Sequence, residues 1–395
     1  MFKGQAGPRA PLPGTVWALG LASLLMDVSS ELMHALLPLL LVGPLGAGVA
    51  LVGLIEGLAE GTAAITRVFS GVLSDRLGRR LPLVLAGYGL AALSKPLFPL
   101  AGSAGTVLAA RLIDRFGKGL RGAPRDALIA DITAPEVRGA AYGLRQALDS
   151  IGAFLGPLLA IAGLWLLGGR LRAVLWWGIP PALLAMLILL LAVREPPSLA
   201  AQERRHLGLT RLVSLGAGFW RITALGAVFT LARFSEAFLV LRAQQSGLAL
   251  MFVPGVMVAM NTAYALAAYP AGRLADRVDA RWLLGAGLLV LVAADGLLAV
   301  AVAWPGVLCG AALWGLHMAL TQGLLAKLVA GAAPAALRGT AFGCFNLVTS
   351  VAVLAASALA GLLWSQHGPE ATFLAGGALA LAALALLPLL RLRVP

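Results

Sequence analysis

Charge is scarce in this chain. Asp, Glu, Lys and Arg make up 12% of its 395 residues while 60% are hydrophobic, and a water-soluble fold would carry roughly twice that charged share. The scarcity excludes a globule that faces water on all sides; lipid is the solvent that suits this composition. Cysteine is nearly missing: Cys309 and Cys344 are the two present, toward opposite ends of their expected helices, which leaves neither a disulfide framework nor a thiolate metal site. Histidine occurs four times. No Gly-x-x-x-x-Gly-Lys-Ser/Thr loop is present, which excludes ATP as the energy source. Pieces such as Gly117-Lys118-Gly119 sit inside an apolar run and not after a strand. No nucleophile, base and oxyanion donors stand together, so an enzyme is not expected. Residues 1–13 show no small-residue cleavage site after an apolar region, and no removable signal peptide is expected.

Long apolar runs are what the chain has in abundance. A bilayer core of about 30 Å takes roughly 20 apolar residues per helical span. Twelve such runs can be marked, at 15–42, 48–73, 81–102, 104–132, 138–167, 171–193, 219–243, 248–274, 281–303, 305–331, 337–366 and 369–390. An all-α membrane protein is expected, and the longer runs imply tilt. The one long polar segment, Glu195 to Trp220, divides the chain. Self-similarity supports the cut, because Arg138-Gly139-Ala140-Ala141-Tyr142-Gly143 is echoed by Arg338-Gly339-Thr340-Ala341-Phe342-Gly343. The expected organisation is an N-terminal tail at 1–14, six-helix bundles at 15–193 and 219–390, a linker at 194–218 and a C-terminal tail at 391–395. Alternate connections hold Arg76, Arg79, Arg80, Arg138, Arg194, Arg204, Arg205, Arg211, Arg277, Arg281 and Arg338, and the tails add Lys3, Arg9, Arg391 and Arg393. Short cytoplasmic loops retain such residues, so both termini are expected in the cytoplasm. Arg170, Arg172 and Arg242 are the main exceptions. This topology accounts for the net charge of +13, and no nucleic-acid partner is implied.

Between the second and third runs stands Gly71-Val72-Leu73-Ser74-Asp75-Arg76-Leu77-Gly78-Arg79-Arg80, and a degraded copy, Gly272-Arg273-Leu274-Ala275-Asp276-Arg277-Val278-Asp279-Ala280-Arg281, stands between the eighth and ninth. The first copy resembles the signature of the major facilitator superfamily, Gly-x-x-x-Asp-Arg/Lys-x-Gly-Arg/Lys-Arg/Lys, with no departure. The resemblance implies twelve helices in two pseudo-symmetric bundles, with a central site and alternating access by rocking one half against the other. It also implies a latch favouring the outward-facing state, with Asp75 pairing at a neighbouring helix end while Arg76, Arg79 and Arg80 stay among headgroups and water. Plain anchoring by positive charge is the alternative. In the fifth run, Gly152-Ala153-Phe154-Leu155-Gly156-Pro157 resembles the Gly-x-x-x-Gly-Pro pattern of antiporters, with Ala160 where a further Gly is commoner. It favours export, although small residues that let helices pack closely explain the same glycines. Arg111, Arg115, Gly117 and Gly119 loosely resemble the family's fourth-helix pattern.

The charges inside the runs carry the functional reading, since each costs roughly 2.5 kcal/mol or more at the bilayer centre on insertion scales. They must face protein or water. Asp27, Glu31 and His34 share one helical face; so do Glu56, Glu60 and Arg67. Asp114, Lys118, Arg121 and Arg125 form a third stripe with Arg111 and Arg115 beside it, and Arg138, Tyr142, Arg145 and Asp149 a fourth. The matching positions of the second repeat are neutral: Phe345 for Arg145, Asn346 for Gln146 and Thr349 for Asp149. Proton coupling is therefore expected in the first half, through Asp27, Glu31, Glu56, Glu60 and Asp149. Asp27 and Glu31 come first, because no Lys or Arg shares their run and antiporter relatives are similar in placing acids on the first helix. A carboxylate without a partner in a low-dielectric site can exchange protons near neutral pH. The expected cavity residues are His34, Arg121, Arg125, Arg145, Gln146, Arg233, Glu236, His317, Gln322 and Asn346. Three other readings stay open: the acids belong to a fixed network with Arg121, Arg125 and Arg145; Asp27, Glu31 and His34 bind a divalent metal; or the fourth-run guanidinium groups hold an anion. The expectation is a monomeric, proton-coupled transporter of a bacterial inner membrane that exports a small organic compound and uses no cofactor beyond the proton gradient. A proton-linked importer or anion transporter is the alternative, then a carrier of a metal ion or chelate.

Overall fold

The computed structural model of the chain describes residues 12–134, 137–195, 215–275, 277–333 and 338–387, except the side chains of Asp75, Gly139 and residues 338–340. Among the described residues there are helices and no strands. A bilayer offers backbone N–H and C=O groups no water, and a helix satisfies them within one segment. The first half comprises α1 (Gly14–Val42), α2 (Val49–Leu77), α3 (Leu81–Ser94, with a last turn Leu97–Leu100), α4 (Ala104–Ile132), α5 (Arg138–Leu166) and α6 (Leu171–Ala192). The second comprises α7 (Gly216–Leu231 and Ala237–Gln245), α8 (Gly255–Ala275), α9 (Ala280–Val300) and α10 (Trp304–Ala332), then the long run Arg338–Leu386. Gly368, at φ 85°, breaks that run before Pro369 into α11 (338–367) and α12 (369–386). Residues 1–11 of the N-terminal tail, the C-terminal tail, most of the linker and Asp276 lie outside the described residues.

The seventh and third expected runs break in ways that matter for the site. The seventh is interrupted at 232–236, where no glycine or proline stands. Side chains supply the substitute bonds: Ser357 Oγ accepts from Ser235 N at 3.1 Å, and Ser235 Oγ from Ala237 N at 3.2 Å. Serine hydroxyls compete in this way with the helical ladder. The third run is interrupted after Lys95, where Pro96 brings no N–H.

The arginines that strayed from the basic connections have a structural reason. Arg172 Nη1 donates to Pro99 O at 3.0 Å and Ala101 O at 2.7 Å, capping α3. Arg242 donates to Leu298 O at 2.8 Å, Ala299 O at 3.1 Å and Ala301 O at 2.8 Å, capping α9. Helix C-termini leave orphan carbonyls and a partial negative charge, and the two halves solve the same problem with one arginine each.

Packing relies on glycine where helices cross. A Cβ on Gly152 would lie 2.7 Å from Leu24 O, and one on Gly156 would lie 2.7 Å from Glu31 Cβ. These glycines seat α1 against α5 directly behind Asp27 and Glu31. Between halves, α2 meets α11 where a Cβ on Gly57 would lie 2.9 Å from Leu354 Cα and one on Gly361 2.9 Å from Ala50 Cα. Asn261 of α8 donates to Ala153 O of α5 at 3.2 Å. These contacts lie at mid-depth or toward the face opposite the Arg-rich connections.

Candidate transport site

Four charged helices of the first half form two linked clusters. In the deeper one, Glu56 Oε2 receives Arg111 Nη2 at 2.7 Å, with both side chains 1% exposed. His34 bridges from α1, its Nε2 3.4 Å from Glu56 Oε2 and its Nδ1 3.5 Å from Glu31 Oε2. Beside it, Lys95 Nζ donates to Asp114 Oδ1 at 2.8 Å and to Ser30 Oγ at 2.9 Å. Arg115 reaches Glu60 at 3.3 Å and Asp114 at 3.8 Å. The order of these pairs follows from helical spacing: Arg111, Asp114 and Arg115 present one face of α4, and Glu56 and Glu60 one face of α2.

The second cluster lies nearer the basic connections. Asp149 of α5 accepts from Arg145 Nη1 at 2.6 Å and from Ser23 Oγ at 2.5 Å. Arg125 Nη1 donates to the same serine at 2.5 Å. Arg145 and Arg125 both approach Asp126. Arg121 is buried and stacks over Tyr88, 4.5 Å from the ring centroid. Sequence reading missed Ser23 and Ser30, although Ser23, Asp27 and Ser30 share the helical face of Glu31. It missed Tyr88 as well, which no spacing rule would have singled out.

Among the named acids, Asp27 stands apart. It is half-buried, and no hydrogen bond or ion pair joins its carboxylate to the described residues. Lys118, Arg121, Asp149 and Glu31 act on it through space. Glu31 keeps only the 3.5 Å approach of His34. Glu56 and Asp149 are committed to arginines, and Glu60 to Arg115 with 40% of its side chain exposed. From the second half, Glu236 beside the α7 break acts on His34, Glu31 and Glu60, and Arg233 on Glu236, Tyr264 and Glu60. The break thus turns its charges toward the first half's acids. Gln146 is exposed and Asn346 and Gln322 half-buried, while His317 is buried with Nδ1 2.7 Å from Gly287 O, away from the acids. No group of three or more His, Cys, Asp or Glu among the described residues converges to hold a metal ion.

At the basic connections, Gly78 ends α2 in the left-handed conformation, φ 63°, which explains the glycine of that motif. Gly71 brings α2 within 3.4 Å of Ala123 Cβ, measured from the position a Cβ would occupy. Arg80 donates through Nη1 to Ser74 Oγ at 2.6 Å and approaches Asp131 at 3.5 Å. Its backbone N–H and that of Leu81 are held by Glu195, which caps α3 from the end of α6. Arg76 and Arg79 are exposed. The side chain of Asp75, like Asp276, lies outside the described residues. In the second copy, Arg277 N bonds Leu274 O at 3.0 Å, and Asp279 caps α9 through Arg281 N at 2.8 Å.

Two six-helix repeats around a charged interior define a membrane carrier. The profile of the Major Facilitator Superfamily matches residues 19–261 and again 243–395, and the chain belongs to that family. An MFS-type transporter of Methanocaldococcus jannaschii is 31% identical over 377 residues, which cover 94% of this chain and 93% of the relative. The multidrug resistance protein MdtH of Aeromonas hydrophila is 29% identical over 340 residues, covering 83% and 82%. Among solved structures, an inward-facing, occupied bacterial homologue of the human lysosomal transporter Spinster superposes with a TM-score of 0.79 at 16% identity, covering 95% of this chain and 96% of that one. The human organic anion transporter MFSD10 gives 0.69 at 21% identity, covering 96% and 100%. These superpositions establish the fold.

Proposed function

We propose that this secondary transporter is proton-coupled and exports a small organic compound by alternating access. The observation that carries the reading is Asp27: a carboxylate within a membrane helix, half-buried, without a hydrogen bond or ion pair among the described residues, and seated against Gly152 of the antiporter-like pattern. An isolated ionised carboxylate is costly in a low-dielectric interior, and taking up a proton removes that cost. Asp27 and Glu31 exchange the proton, and Ser23, Asp149 and Arg145 link them to α5. Glu56 and Glu60 hold α2 to α4 and are not the carriers of the proton. The basic connections face the cytoplasm, so the contacts between the halves at Gly57, Gly361 and Asn261 fall at mid-depth or on the outer side. Export is supported by the multidrug resistance relative.

The anion reading asks Arg121 and Arg125 to hold substrate. Both are buried, one stacked on Tyr88 and the other bonded to Ser23, which favours a positioning role. The test is proton movement in liposomes holding the purified protein and a pH dye, with ethidium, an uncharged aromatic and benzoate added in turn. Substrate-driven flux lost in Asp27→Asn and reduced in Glu31→Gln is expected. Flux that survives in Asp27→Asn would sink the assignment, and a response to benzoate alone, lost in Arg125→Ala, would turn the reading to an anion carrier.

A further inference from the structure

The proposed mechanism leaves one interior acid unused, and it lies in the half that looked electrically quiet. Asp295 of α9 is 0% exposed, and neither carboxylate oxygen has a hydrogen-bond partner among the described residues. A Cβ on Gly376 of α12 would lie 2.7 Å from Asp295 Oδ2, 3.0 Å from Phe234 and 3.4 Å from Ala232 O. The carboxyl is therefore packed between α9, α12 and the break in α7, and the glycine is what admits it. The indole N–H of Trp314 is the donor directed at the carboxyl, and it falls short of hydrogen-bond geometry.

The repeat explains how this residue arose. A shift of 200 positions carries Arg138 to Arg338 and Gly87 to Gly287. It also superposes contacts: position 117 abuts Gly87 O in the first half, and position 317 bonds Gly287 O in the second. The same shift carries Lys95 to Asp295 and Asp114 to Trp314. Where the first half has a closed lysine–aspartate pair at 2.8 Å, the second has an acid facing an indole. The cation is gone and an acid stands in its place.

Charged groups on the surrounding elements are occupied elsewhere. Arg233 and Glu236 of α7 act on Tyr264, Glu60, His34 and Glu31, and His317 of α10 holds Gly287 O. On α12, Thr372 is bonded to Ala360 O and Gly368 O; on α11, Ser357 is bonded to Ser235 N. An ionised carboxylate at Asp295 would have no compensating charge among the described residues. We propose that Asp295 is a proton-binding site of the second half: a neutral acid in this state, whose proton joins α9 to the broken segment of α7 and is released when that packing opens to water. Its place in the transport cycle rests on the proton-coupled reading above; its occupancy does not.

Infrared spectroscopy of the purified full-length protein separates the two. At neutral pH the wild type should show a protonated-carboxyl C=O band that Asp295→Asn abolishes and Asp27→Asn retains. Raising the pH should remove it, with the ratio of neutral to ionised acid falling tenfold per pH unit beyond the midpoint. Asn fits the same space, and a far-UV spectrum confirms that the variant folds. A wild type without an Asp295-dependent band overturns the proposal, as does a band unmoved by alkali while the protein stays folded, since the acid would then be structural. Loss of coupling in Asp27→Asn with no Asp295 band would defeat this inference and leave the proposed function standing; an Asp295 band without substrate-driven proton flux would do the reverse.

Discussion

The Glu56–Arg111 pair gives the sharpest measurable consequence of the charged interior. Both side chains are 1% exposed and 2.7 Å apart, and Glu56 is the one ion-pair partner of Arg111 among the described residues. Glu56→Gln leaves a buried guanidinium facing a neutral amide. Removing one member of a buried pair typically costs about 3–5 kcal/mol, whereas replacing both is close to neutral or stabilising. With roughly 2.1 cal/mol/K of unfolding entropy per residue, 395 residues give about 0.8 kcal/mol/K, so Tm should fall by ~4–6 °C. The doubly neutral Glu56→Gln/Arg111→Met should recover most of that loss. Intrinsic fluorescence during heating in detergent reads all three proteins and Arg111→Met. If Glu56→Gln left Tm unchanged and abolished proton flux, Glu56 would be a proton carrier and the structural assignment would be wrong. If the double variant lost the sum of the single losses, the pair would not be a coupled unit.

Gly156→Val should push α1 away from α5 at Glu31, costing about 1–3 kcal/mol as overpacking does and slowing substrate-driven proton flux; full flux at unchanged Tm would contradict the packing. Arg242→Ala strands three carbonyls at the end of α9 and should cost about 1.5–3 kcal/mol, with Arg242→Lys recovering part of it in the same melting assay. Glu195→Ala removes the cap from α3 and should cost about 0.5–2 kcal/mol, whereas an equal effect from Arg79→Ala, whose side chain is exposed, would point to charge in place of capping.

The helices were legible because length and apolarity alone specify them, and so was the Gly71–Arg80 motif, which is local. Helical spacing put Glu56 and Glu60 on one face of α2, but on α4 it grouped Arg121 and Arg125 with Asp114, whereas Arg121 stacks on Tyr88 and Arg125 bonds Ser23. It could not say which charges meet, because partners such as Ser23 and Asp149, or Lys95 and Asp114, are joined by tertiary approach. The α7 break was illegible for the same reason: its substitute bond comes from Ser357, far along the chain. Asp295 was legible as a lone acid in an apolar run, but its meaning lies in the repeat, where Lys95 stands at the matching position and the counterparts of Arg145, Gln146 and Asp149 are neutral. The stray arginines Arg172 and Arg242 read as exceptions to topology until their carbonyl partners were in view.

The second half serves as an internal control for why the first keeps its charges. Buried ion pairs are weak evidence of stability, since apolar residues of similar volume usually do as well. Here the substitution has already been made on the same scaffold. Where the first half has Arg111, Asp114, Arg115, Arg145 and Asp149, the second has Ala311, Trp314, Gly315, Phe345 and Thr349, and its core closes around Trp314, Phe234 and Phe373 by aromatic packing. The fold therefore does not require Glu56–Arg111, Lys95–Asp114 or Arg145–Asp149. Once present, each pair must be satisfied, which is why breaking one is costly. Their presence in one half alone is what the proposed proton coupling would use, with Asp27, the acid beside them without an ion pair or hydrogen bond among the described residues, as its assigned entry point.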